Sequence, residues 1–148
     1  MQSTELKNLE LVAKGKVRDI YAVDSDHLLI VTTDRMSAFD VVLPNPIPGK
    51  GEVLTQLSEF WFEKTQSIVS NHMTDDLELV DLLDSPDQLD YFSKRSMIVK
   101  RLNPLPIEAV VRGYLIGSGW KDYQATGSVC GIQLEKGLQM AQKLPEPS

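Results

Sequence analysis

Between Met97 and Trp120 the sequence reads MIVKRLNPLPIEAVVRGYLIGSGW, two apolar runs separated by Pro104 and Pro106. Each proline fixes its own φ, removes a backbone donor and drives the preceding residue toward extended geometry, so no regular element crosses this point. The expectation is a strand from Ser96 to Leu102, a hinge, a second strand from Ile107 to Leu115, and then a turn at Gly117-Ser118-Gly119. Backbone N–H groups in such a turn, beside the guanidinium of Arg112, suit a bound phosphate. Ser118 is also a candidate cap for a short helix carrying Trp120 and Tyr123. Glu108 heads an otherwise apolar run, where it either faces water at an edge, orients a ligand or pairs with Arg112.

Upstream, Leu9 to Thr33 alternates and then runs apolar, with Asp24-Ser25-Asp26 as turn chemistry before Leu28 to Val31. An antiparallel meander or hairpin is expected. Inside it, Lys14-Gly15-Lys16-Val17-Arg18 puts a glycine and three cations at a strand junction, where the backbone can approach a polyphosphate; the plainer reading is a glycine turn with solvated basic flanks. TDRMSAFD, 33 to 40, follows a strand end, where functional side chains often hang. Asp34 and Ser37 suit local Asx and Ser turns. Asp40, between Phe39 and Val41, calls for a neutralising partner if buried: a ligand, a metal, or a nearby Lys or Arg.

The stiff loop PNPIPGKG, 44 to 51, lacks the GxxxxGK[ST] spacing of a phosphate loop. From Glu52 to Ser70 the apolar residues recur at helical spacing, and the stripe of Val53, Leu54, Leu57, Phe60 and Trp61 is expected to pack on the sheet. Residues 71 to 95 read as a solvated acidic loop with His72 on its surface and a short helix capped at Ser85-Pro86. Cys130 reads as a small buried filler.

Composition limits function. A net charge of −6 argues against nucleic acid bound by a broad basic surface, and no run is long or apolar enough for a membrane span or secretory leader. The lone Cys130 and isolated His27 and His72 form neither a disulfide nor a zinc spacing. A soluble, cytoplasmic chain is expected.

KGKVRD at 14 to 19, TDRMSAFD at 33 to 40, IPGKGEVLTQLS at 47 to 58, KRLNPLPIEAVVRGYLIGSGWKDYQ at 100 to 124, and VCGI followed by KLPEP together resemble the N-terminal part of the SAICAR synthetase family. The resemblance implies an ATP-dependent ligase of purine biosynthesis that joins the imidazole carboxylate nucleotide CAIR to L-aspartate, through an acyl phosphate, releasing ADP and phosphate. It implies that Lys14, Gly15, Lys16, Val17 and Arg18 cover the ATP phosphates. The segment from Lys100 through Arg101 and Leu102 to Leu105 would line the adenine slot. Arg112 and Ser118 would hold the CAIR phosphate, while Ser37, Asp40 and Glu108 line the substrate pocket. No catalytic residue is assigned. Family members continue past KLPEP into a portion contributing the Mg²⁺ site, so this chain would be a fragment with no metal ligand of its own.

The implied fold is α+β: an antiparallel β-sheet domain over 1–102 with the helix packed on it, and the start of a second α/β domain over 103–148. Self-association or pairing with a C-terminal half would cover the exposed edge. The alternative is a non-catalytic nucleotide-binding or interaction module. A kinase-like lobe using KGKVR as its glycine loop lacks an HRD or DFG continuation.

Overall fold

The computed structural model describes residues 5–147, in two compact units that divide between Asn103 and Pro104. The first is an antiparallel four-stranded sheet in the order β1 (Glu10–Lys14), β2 (Arg18–Ala22), β3 (His27–Thr32), β6 (Ser96–Lys100). The meander expected from Leu9 to Thr33 is therefore present; residues 1–4 of the domain expected over 1–102 lie outside the described range. The run in β3 is continuously apolar because that strand is buried on both faces. Leu29 and Val31 pack with Tyr21, Leu83 and Phe92, whereas Ile30 packs with Met97 and Val99 against Ile20, Phe62 and Met73. All five residues of β1 are exposed, as befits an edge strand.

Between β3 and β6 lie a small hairpin, β4 (Ser37–Ala38) with β5 (Val41–Val42), then helix α1 (Lys50–Thr65) and the short α2 (Leu89–Ser93). Ser85 caps the turn before α2 in a reciprocal box with Gln88, as its sequence suggests. Helix α1 starts two residues earlier and stops five earlier than expected, and its apolar stripe is not core. Phe60 and Trp61 are 50% and 53% exposed, with the Lys64 ammonium over both rings. The helix meets the sheet through its fully buried small residues, Gly51 and Thr55, and through Phe62, which packs half-buried against Ile30, Met97 and Val99. Leu54, Leu57 and Trp61 instead line an open cavity of about 470 Å³ with Val17, Arg18, Thr32 and Met97. Periodicity reports that a helix has an apolar face, not that the face is covered.

The second unit contains α3 (Gly117–Thr126) and the hairpin β7 (Ser128–Val129) with β8 (Ile132–Gln133), around a core of Leu115, Val129 and Leu144. The strand expected over residues 107–115 is absent. Tyr114 makes one isolated bridge to Lys143, and Ile107, Val110 and Val111 are exposed, so the segment has β-formers but no ladder partner among the described residues. Cys130 is not buried. It is exposed at φ 48° ahead of Gly131 at φ 82°, the paired positive φ of a tight two-residue hairpin turn.

The β2–β3 turn carries a titratable contact. His27 Nδ1 lies 2.9 Å from Asp24 Oδ2, and its Nε2 3.7 Å from Asp76. The Asp24 hydrogen bond, with the charges of Asp24, Asp76 and Asp26, raises the imidazole above its ordinary 6.5 against the opposing effect of burial. Lys100 faces His27 across the ladder. Since the folded value exceeds the unfolded one, the stabilisation is fully present below about pH 6.5 and fades as pH rises through the folded value. The melting temperature of the wild-type chain should therefore exceed that of His27→Ala at pH 6 and converge toward it by pH 8. A gap independent of pH across that range would refute the contact's charge dependence.

Candidate functional site

In the first unit the residues from Lys14 to Arg18 form the β1–β2 turn, closed by the Gly15 N–H donating to Arg18 O at 2.7 Å. Lys14, Lys16 and Arg18 are all exposed around it. The β4–β5 hairpin reaches the same place: Lys16 Nζ donates to Asp40 Oδ1 at 2.5 Å. Asp40 is thus exposed rather than buried, and the partner is the nearby lysine. That ammonium and its charge hold the Asp40 carboxyl below its ordinary range. Phe39 and Asp40 both have positive φ, which turns the hairpin tip outward, while Ser37 pairs with Val42 at its base.

Lys100, Arg101 and Leu102 are at the other end of the sheet. Lys100 pairs with His27, whereas Arg18 pairs with Thr32, so the five steps along the six-residue β3 separate the two groups by about 16 Å at 3.3 Å per residue. Arg101 is tied to the β2–β3 turn through its N–H to Asp26 O at 2.7 Å and Nη2 to Asp24 O at 3.2 Å.

Sequence reasoning passed over the polar core of this unit. Asp34, expected in a local turn, is buried and accepts from the N–H groups of Gly49 and Gly51 and from Arg95 Nη1 at 3.0 Å. Burial pushes its carboxyl upward, but the Gly51 N–H, the Arg95 guanidinium and the Gly49 N–H outweigh that and leave it lowered. Arg95, 2% exposed, also donates to Glu52 Oε1 at 2.8 Å and stacks 4.0 Å from the Tyr91 ring centre. This cluster binds the start of α1 to the sheet. Arg35 was passed over too; it donates to Asp19 and to the carbonyls of the basic turn. The clue available in the sequence was two charged residues directly after the buried strand β3. His72 is half-buried against Phe62, not a free surface residue, and burial followed by the Arg18 charge lowers its pKa.

In the second unit Glu108, Arg112 and Ser118 come together with Val110, Gly119, Asp122, Val129 and Cys130 around a cavity of about 390 Å³. Arg112 Nη2 donates to Ser118 Oγ at 3.4 Å. Ser118 is not the helix cap: that position is Ile116, without a side-chain bond, and Ser118 lies in the first turn of α3. Gly117 at φ 60° bends the chain so that the turn faces Arg112 without a Cβ in a strained conformation. Glu108 forms no ion pair with Arg112 among the described residues, while the Asp122 carboxylate is engaged by the Cys130 N–H at 2.9 Å. A guanidinium, a hydroxyl and a helix start form a suitable cradle for a phosphate ester.

These features define an α+β protein with a cluster of three cations at one glycine turn and a single guanidinium, Arg112, beside another, each chemically suited to phosphate groups. The chain belongs to the SAICAR synthetase family, whose model matches residues 11–148. It is 62% identical over 144 residues to the phosphoribosylaminoimidazole-succinocarboxamide synthase of Thioalkalivibrio sulfidiphilus, covering 97% of this chain and 48% of that protein. The synthase of the same name from Azoarcus is also 62% identical, covering 96% and 45%. Among solved structures, the SAICAR synthase of Saccharomyces cerevisiae complexed with SAICAR matches with a TM-score of 0.86 and 45% identity over 99% of this chain and 52% of that one. A type-2 SAICAR synthetase in complex with ADP, 24% identical with a TM-score of 0.60 over 92% and 47%, shares the fold. The chain spans about half the length of the curated relatives it matches. None of these relatives bears the name of a non-catalytic binding module.

Proposed function

We propose that this chain is the nucleotide-covering and substrate-phosphate-binding part of an ATP-dependent ligase that joins CAIR to L-aspartate. The observation that carries the reading is the gathering of Glu108, Arg112 and Ser118 around one cavity in a chain so similar to named synthases. A carboxylate is a poor electrophile. In the proposed reaction the CAIR carboxylate oxygen takes the γ-phosphoryl group as ADP departs, and the aspartate amine then attacks the acyl carbon as inorganic phosphate leaves. Such transfer depends on positioning and charge neutralisation.

The roles of the chain's own residues in this reading are those the family resemblance implies, and the placement of the basic turn and of the Arg112 cavity supports them. Lys14, Lys16 and Arg18 neutralise the triphosphate under the Gly15 turn, with Lys16 released from Asp40. Lys100 to Leu102 receive the adenine at the far end of the sheet, so the nucleotide lies along it. Arg112 and Ser118 hold the CAIR phosphate, Glu108 lies in the same pocket, and Ser37 and Asp40 border the substrate. No group of three or more His, Cys, Asp or Glu side chains among the described residues could hold a metal ion. The described residues therefore supply no ready-made cage for Mg²⁺. No helix among the described residues is long and apolar enough to cross a membrane; a cytoplasmic enzyme is the corresponding proposal.

Calorimetric titration of the 148-residue chain with CAIR, and separately with ATP–Mg²⁺, tests the reading. Arg112→Ala should weaken CAIR by roughly 10- to 100-fold, the worth of a charged hydrogen bond to phosphate, and leave ATP affinity unchanged. Equal losses for both ligands would remove the Arg112 assignment. A folded wild-type chain that binds neither would reject this half as a preformed site.

A further inference from the structure

The β1–β2 turn has four carbonyl oxygens, from Gly15 to Arg18; the Gly15 N–H donates to Arg18 O at 2.7 Å, and two residues just beyond β3 take up the other three and reach Arg18 O as well. Thr33 donates its N–H, at 2.9 Å, and its Oγ1, at 2.8 Å, to Val17 O. Arg35 donates Nη2 to Gly15 O at 2.9 Å and Arg18 O at 3.4 Å, and Nε to Lys16 O at 3.2 Å. The same guanidinium closes on Asp19 through a fork, Nη2 to Oδ1 at 2.7 Å and Nη1 to Oδ2 at 3.1 Å. Asp19 is 3% exposed, so its carboxylate anchors Arg35 from inside the sheet.

A planar group with five donors and no acceptor can hold three carbonyls and a carboxylate at once; an ammonium is a point charge without that fork. Carbonyl oxygens repel an approaching anion, and a turn whose carbonyls are already held by internal donors presents its cations with less reorganisation. Fixing a binding group before the ligand arrives removes the cost of ordering it afterwards. We propose that Arg35, oriented by Asp19, is a positioning residue that pre-shapes the Gly15–Arg18 turn for the phosphates of the nucleotide. Arg35 does not itself touch phosphate, and the proposal rests on the nucleotide reading given above.

The test uses the isotopically labelled 148-residue chain, with backbone order measured by NMR and affinities for ATP and adenosine measured by titration. In Arg35→Lys the amides of Lys16 to Arg18 should fall from rigid order parameters near ~0.85 to below ~0.6, while those of β3 and β6 stay unchanged. ATP should bind about tenfold more weakly or worse, and adenosine, which lacks phosphates, equally well. Asp19→Asn should give the same pattern in weaker form and serves if the lysine variant fails to fold. An unchanged turn in both variants overturns the inference and leaves the nucleotide reading intact. A loosened turn with ATP and adenosine affected alike, or with neither affected, also overturns it. If the folded wild-type chain binds no ATP, the nucleotide reading fails for this chain and the phosphate role of Arg35 fails with it.

Discussion

Replacing Arg95 with alanine is expected to destabilise the first unit by roughly 3–5 kcal/mol, the usual consequence of removing one partner from a buried ion pair. The guanidinium is almost wholly enclosed, and its loss strands the Asp34 carboxylate, 5% exposed, with only the Gly49 and Gly51 N–H groups. Glu52, nearer the surface, can be resolvated and contributes less. Urea unfolding of the 148-residue chain reads the change directly. The double variant Asp34→Asn/Arg95→Met should lose markedly less than the sum of the singles, because no charge remains buried alone. A loss below about 1 kcal/mol for Arg95→Ala would show that the pair is not a structural anchor. Acid adds an independent check. Asp34 is lowered in the folded state, so its contribution is present above about pH 3.8 and lost as pH falls through its folded value.

Gly51→Ala gives the second large effect, and its sign is the informative part. Helix propensity alone predicts that alanine within α1 stabilises by up to about 1 kcal/mol. A Cβ at this position, however, would sit 2.4 Å from the Thr32 carbonyl oxygen and 3.0 Å from Arg95 Nη1. Thr32 O is backbone at the end of β3, so the clash is relieved only by moving the helix away from the sheet. A destabilisation of about 3 kcal/mol, at the upper end for overpacking, is expected. Gly113→Ala is the control, since nothing lies within 4 Å of its added Cβ. Equal thermal stability of Gly51→Ala and wild type would contradict the close approach of α1 to β3. The expected loss would also disturb the Asp34–Arg95 cluster, whose hydrogen bonds pass through the Gly51 N–H.

The family, the α+β fold and the order of the first three strands were legible in the sequence. They rest on local signals: β-rich runs, Asp-Ser-Asp turn chemistry, and motif segments in a fixed order. Candidate phosphate-binding groups were legible for the same reason, because Gly15 with its flanking cations and Arg112 near Gly117-Ser118 are each local in the chain. Long-range partners were not. The expected strand over residues 107–115 had the right composition but found no ladder partner, and the stripe on α1 had the right period but found no cover. Cys130 looked like filler until a two-residue hairpin turned it outward.

The partners of Asp34, Arg35 and Arg95 were equally invisible, because they are set by contacts many residues apart. Asp34 reaches Arg95 across 61 positions, and Arg35 reaches back 16 to Asp19. Local sequence determined the first three strands, the helix α1, the turns and the chemistry the chain carries, since these depend on neighbouring residues; whether the β-forming run at 107–115 became a strand did not. Tertiary structure alone decided which charges are buried together, which apolar face stays open, and that the basic turn is held from behind, because burial and hydrogen-bond partnership depend on residues that only folding brings near.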